Sequence, residues 1–239
     1  MVVSLLTNLF LVGLSGLLIG AAAGRGAYGF YSHRIEELYL LCGGMLIGVI
    51  LFELVPESMH SFDIIAISLG ASFSFLLFVL IESRFHNYLV HNKYVPLIAF
   101  VLALLSHSIP VGIAIGINGN GDGFGTVLLL ALFIHHIPEG VALVLFTSIT
   151  GLRSLYAILA ASLISFVLVL SAAFGSNFAP SYTVNGILTG IAIGSLSYVA
   201  WCEIILKVKG RVLYRTLLLY TTMGILLIIT YIKLVHKLF

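Results

Sequence analysis

Apolar residues run through this chain in blocks of about 17–25 positions, the length that carries a helix across a hydrocarbon core of ~30 Å. Eight such blocks fall at 4–24, 37–55, 64–81, 96–117, 124–147, 155–174, 185–205 and 216–234. The breaks between them are short and carry turn chemistry, as in Asn118-Gly119-Asn120-Gly121-Asp122-Gly123 and the stretch from Gly175 to Pro180. The pattern predicts an all-α integral membrane protein of eight helices, one transmembrane domain over 1–239, with no place for a soluble domain. The first block lacks a basic leader and is followed by Ala21-Ala22-Ala23-Gly24, so a cleaved signal peptide is an alternative there. Its length and its Gly16-x-x-x-Gly20-x-x-x-Gly24 ladder favour a retained, closely packed helix.

Composition sharpens this picture. A chain of 239 residues that is 61% hydrophobic and 8% charged is excluded from the ordinary water-soluble class. Cys42 and Cys202 both fall inside predicted helices and offer no disulfide framework. Nine of the eleven lysines and arginines (Arg25, Arg34, Arg84, Lys93, Arg153, Lys207, Lys209, Arg211 and Arg215) are assigned to the segments after helices 1, 3, 5 and 7, while Lys233 and Lys237 sit in the tail. By the positive-inside rule those segments are cytoplasmic and both termini lie outside, which an even helix count permits. The plasma membrane is the expected location, the bilayer the expected surrounding, and no nucleic-acid partner is expected.

Two apolar runs contain nearly the same phrase, HSIPVGIA from His107 to Ala114 and HHIPEGVA from His135 to Ala142. Ionisable groups in a membrane span cost a few kcal/mol each on insertion scales, so they mark a pathway or a site by default. The fourth and fifth predicted helices run antiparallel, which brings His107 and His135 to similar depth. His135 and Glu139, four residues apart, stack on one helix face and can reach a single ion. Neutral imidazole and carboxylate suit zinc, and also iron, manganese or cadmium. Pro110 and Pro138 free the carbonyls of Ser106 and Ile134, which lipid tolerates only where another partner or a polar cavity receives them. His136 points about 100° away from His135 on an ideal helix, so it either joins the same ion through a kink or bonds to a neighbouring helix.

Other polar residues admit two readings each. Glu53 and Glu203 follow Gly44 and Gly194 by nine residues, an echo of the kind an inverted repeat leaves, and act either as stepping stones for a cation or as interfacial carboxylates. Glu57, His60 and Asp63 are expected in an outer loop after helix 2. HNYLVH, from His86 to His91, together with His135-His136 has the spacing of a membrane di-iron oxidase. Half a bilayer separates the two groups, however. An intramembrane metalloprotease would need H-E-x-x-H, which is absent.

With its paired signatures on consecutive helices, and with GGMLIGVILFELVPE at 43–57, the chain resembles the ZIP family of divalent-metal transporters. The resemblance implies a 3+2+3 arrangement of eight helices whose outer triplets form an inverted repeat. It implies carriage of metal into the cytoplasm, movement of helices 1, 4, 5 and 6 against 2, 3, 7 and 8, and association as a homodimer. Metal is then the cargo, with no resident cofactor and no enzymatic reaction; a protein that binds or senses metal without moving it is the alternative. Carried over by position, His107, His135 and Glu139 match the primary metal site, with His136 and Ser108 as further candidates. The family pattern has a glutamate where Val111 stands and another near Ser165. Their absence implies one metal per protomer.

Overall fold

The computed structural model describes residues 2–31, 34–84, 92, 94–118, 124–177 and 181–238. At 2, 3, 30, 31, 96, 118, 124–128, 130, 131, 134, 135, 149 and 235–238 the description covers the backbone alone. The chain forms helices α1 (Val2–Tyr31), α2 (Ile35–Ser61), α3 (Ile64–Arg84), α4 (Val95–Asn118), α5 (Phe124–Ile149), α6 (Ser154–Asn177), α7 (Tyr182–Leu206) and α8 (Tyr214–Leu238). Seven of them, α1–α4 and α6–α8, are long and apolar enough to cross a membrane. The protein is an integral, multi-pass membrane protein. α5 adds 26 residues of helix. No strand occurs among the described residues. A lone bridge, Lys209 to Val212, closes the tight turn at Gly210, whose φ of +94° suits glycine.

The helices outrun the apolar blocks that announce them. Arg25, expected in a loop, lies inside α1. Glu57 and His60, also expected in a loop, sit on the last turns of α2. Gly175 belongs to α6. Hydropathy registers only the lipid-facing part of a helix, whereas backbone hydrogen bonding carries it on through polar interfacial residues until a breaker or cap intervenes. The 118–123 turn lies outside the described residues from 119 onward, as do Lys93 and residues 178–180.

Close packing divides the helices into two groups. α1 packs on α5 and α6, and α4 on α6 and α5; separately, α3 packs on α7, and α2 on α8 and α7. Glycines make the tightest approaches. A β-carbon at Gly20 would overlap the Ile137 carbonyl, and one at Gly175 would crowd that of Ile113. Gly140 abuts the Leu17 carbonyl as Gly116 abuts that of Ala172, and Gly224 abuts Leu41 as Gly70 abuts Ile187. Each pair is exchanged by swapping α1 with α6, α2 with α7, α3 with α8 and α4 with α5. Between the two groups the main contact is α4 against α7. There both contribute to one apolar core, with Phe100, Ala103 and Leu104 on one side and Leu196, Val199 and Ala200 on the other.

The same register corrects the glycine–glutamate echo. Gly224 on Leu41 and Gly70 on Ile187 align Gly44 with Gly190 and Gly48 with Gly194. Glu53 and Glu203 are therefore not counterparts. They do share a local structure, because α2 widens into a π-helix over Ile50–Leu54 and α7 over Val199–Leu206. Such bulges break the regular hydrogen-bond ladder and recur at functional positions.

Candidate metal centre

His107 on α4 and His136 and Glu139 on α5 are buried, with exposures of 3%, 1% and 2%. Nε2 of His107 lies 3.8 Å from Oε1 of Glu139, and Nε2 of His136 lies 3.9 Å from its Oε2. One carboxylate thus faces two imidazoles, one from each helix. These separations exceed hydrogen-bonding distance. A tetrahedral zinc with bonds of about 2.0–2.1 Å sets neighbouring ligand atoms about 3.3 Å apart, so each pair would close by about half an ångström to share an ion. No set of three or more His, Cys, Asp or Glu side chains among the described residues already surrounds one ion position.

Nδ1 of His136 is 2.8 Å from the Leu132 carbonyl one turn earlier. A carbonyl only accepts, so this bond places the ring proton on Nδ1 and leaves the lone pair on Nε2, the nitrogen that faces Glu139. Metal-ligating histidines are held in this way through their other nitrogen. The partner is α5's own backbone, where sequence reasoning weighed a neighbouring helix. Gly16 of α1 lets the two helices approach here, since a β-carbon at Gly16 would overlap the Phe133 carbonyl and come to 3.0 Å from the β-carbon of His136.

The remaining candidates divide. The His135 side chain lies outside the described residues, although its backbone is helical. Ser108 is buried and donates to the Leu104 carbonyl at 2.8 Å within α4. Val111 packs beside the apolar cluster of Leu9, Ile115, Leu132, Leu168 and Ala172, and Ser165 is fully buried on α6. The histidines from His86 to His91 lie outside the described residues.

Two groups that sequence reasoning did not connect also stand out. Glu203 is buried, with Lys207 Nζ 2.5 Å from its Oε2 and the Tyr198 hydroxyl 3.3 Å from its Oε1; that hydroxyl also reaches Glu82 of α3 at 2.7 Å. This network lies wholly within the α2, α3, α7, α8 group. Ser106, immediately before His107, has its Oγ 2.8 Å from the Oγ of Ser195 on α7. Nothing in the sequence pairs these residues, because small hydroxyls in apolar helices are common and the pairing depends on how α4 registers against α7.

Comparison with known proteins adds two findings. The family described as ZIP Zinc transporter matches residues 90–231, more than half of the chain, from the approach to α4 into α8. A protein of Arabidopsis thaliana named "Putative zinc transporter" is 30% identical over 145 residues, covering 55% of this chain and 23% of its own length. The chain therefore spans less than a quarter of that relative.

Proposed function

We propose that this chain, which belongs to the ZIP Zinc transporter family, carries a divalent metal ion into the cytoplasm. Zinc is the first candidate, ahead of iron, manganese and cadmium. The family is one of transporters and not of enzymes. The observation that carries the reading is the buried Glu139 carboxylate set between His107 and His136, within a span where ionisable groups are otherwise expelled. His135 joins these three as a ligand in the proposed centre. With valine at 111 a single ion is bound, and water completes its coordination.

The architecture we infer is eight spanning helices in a 3+2+3 order with an inverted repeat. The exchange of glycine contacts between α1 and α6, α2 and α7, α3 and α8, and α4 and α5 supports it. Transport then moves the group of α1, α4, α5 and α6, which carries the site, along the group of α2, α3, α7 and α8. Both termini lie outside the plasma membrane, and the functional unit is a homodimer.

Zinc uptake by proteoliposomes holding the purified protein tests this. Saturable uptake is expected, and Glu139→Gln, which keeps the shape and removes the charge, should lower it by about tenfold or more, as loss of a charge-assisted contact implies. Zinc binding without uptake would favour the sensing reading. Undiminished uptake by Glu139→Gln at equal reconstitution would remove Glu139 from the path.

A further inference from the structure

Ser106 and Ser195 belong to different helix groups, and the described residues that meet between those groups include the side chains of a shared apolar core. Apolar contact is non-directional and tolerates sliding, so it does little to define one relative position. A hydrogen bond of 2.8 Å does define one, because it fails over a displacement of an ångström. Each hydroxyl also has a second partner in its own helix. Ser106 Oγ lies 2.9 Å from the Ala103 carbonyl and Ser195 Oγ 3.0 Å from that of Ala192. When the two serines part, each can still donate to its own backbone, so neither proton is stranded in a low-dielectric interior.

We propose that the Ser106–Ser195 hydrogen bond is a weak, reversible latch that registers the site-bearing helices against α7 in this conformation and is broken in every transport cycle. The inference rests on the transporter reading above and adds the contact that holds one of its states. Because both hydroxyls retain local partners, the latch is weak. Interhelical hydrogen bonds in membranes are typically worth about a threefold change in population, and the effect here is of that order. Its place next to His107 ties the position of the groups to the position of the metal centre.

The test is a disulfide at the latch. Ser106→Cys and Ser195→Cys are introduced together with Cys42→Ala and Cys202→Ala, and zinc uptake into proteoliposomes is measured after copper-phenanthroline oxidation and again after reduction. Cross-linking should stop uptake while zinc binding, read by calorimetry, persists; reduction should restore uptake. Cross-linked protein that transports as fast as reduced protein would overturn the latch, as would failure of the cysteines to cross-link in the membrane. Absence of uptake by the unmodified protein would instead count against the transporter reading. In a second measurement, Ser106→Ala, Ser195→Ala and the double variant should each shift the apparent zinc Km or maximal rate by the same factor, about threefold. Effects that multiply in the double variant would show that the two hydroxyls act separately and sink the proposal.

Discussion

In the proposed centre, a divalent ion held by His107, His136 and Glu139 would meet one formal negative charge, so each further charge near it should weigh heavily on affinity. Val111 stands one turn beyond His107 and packs beside apolar residues. Val111→Glu is expected to bury a carboxylate that lacks a partner until metal arrives. Its Tm without zinc should fall by several degrees, the scale of about 1–3 kcal/mol for an unsatisfied buried polar group, and added zinc should raise it by more than in the parent. Uptake should show a lower Km with a lower maximal rate. An unchanged zinc-induced shift would place Val111 outside the reach of the ion. His107, His135 and Glu139, with His136 beside them, stand out in the sequence because ionisable residues are rare in apolar runs. The orientation of the His136 ring was not legible, because it depends on the bond between Nδ1 and the Leu132 carbonyl, which only the folded helix defines.

α1 and α5 approach so closely that the backbone of one takes the place of a side chain on the other. Gly140→Ala should therefore press its methyl into the Leu17 carbonyl, and Gly116→Ala into that of Ala172. Each substitution is expected to cost about 1–3 kcal/mol by overpacking, seen as lower Tm or earlier unfolding in denaturing detergent. Gly26→Ala and Gly29→Ala make the contrast, since nothing lies within 4 Å of either position; they should be neutral or slightly stabilising, as alanine favours helix. Equal losses at all four positions would refute the close-approach account. The ladder at Gly16, Gly20 and Gly24 could be read as a packing stripe from spacing alone. Its partner helix could not, because a small-residue stripe says how near a neighbour comes and not which neighbour it is. The π-helical stretches around Glu53 and Glu203 were equally hidden, because apolar composition continues unbroken through both.

Taken whole, the chain displays two periodicities that do not coincide. The phrase repeated at His107 and His135 aligns Gly112 with Gly140, whereas the packing pairs Gly116 with Gly140, one helical turn away. The repeated phrase therefore does not mark the exchange of contacts, which follows a different register. The proposed direction of transport rests on a third feature, the placement of charge. Lys207, Lys209 and Arg211 lie between α7 and α8, and Arg215 sits on the first turn of α8. α7 runs from Tyr182 to Leu206, and 25 helical residues rise about 37 Å, enough to hold its two ends on opposite sides of a ~30 Å core. Tyr182 is 58% exposed and Lys209 is exposed as well, so both positions can take a thiol probe, and using Tyr182 leaves the Ser181 cap on Val184 intact. In a background with Cys42→Ala and Cys202→Ala, Tyr182→Cys should react with an impermeant maleimide on intact cells, and Lys209→Cys only after the membrane is opened. The positive-inside rule predicts that order because translocating a cluster of four basic residues is disfavoured. Labelling of Lys209→Cys from outside would invert the bundle, and a carrier with these helices would then export the metal that it is proposed to import.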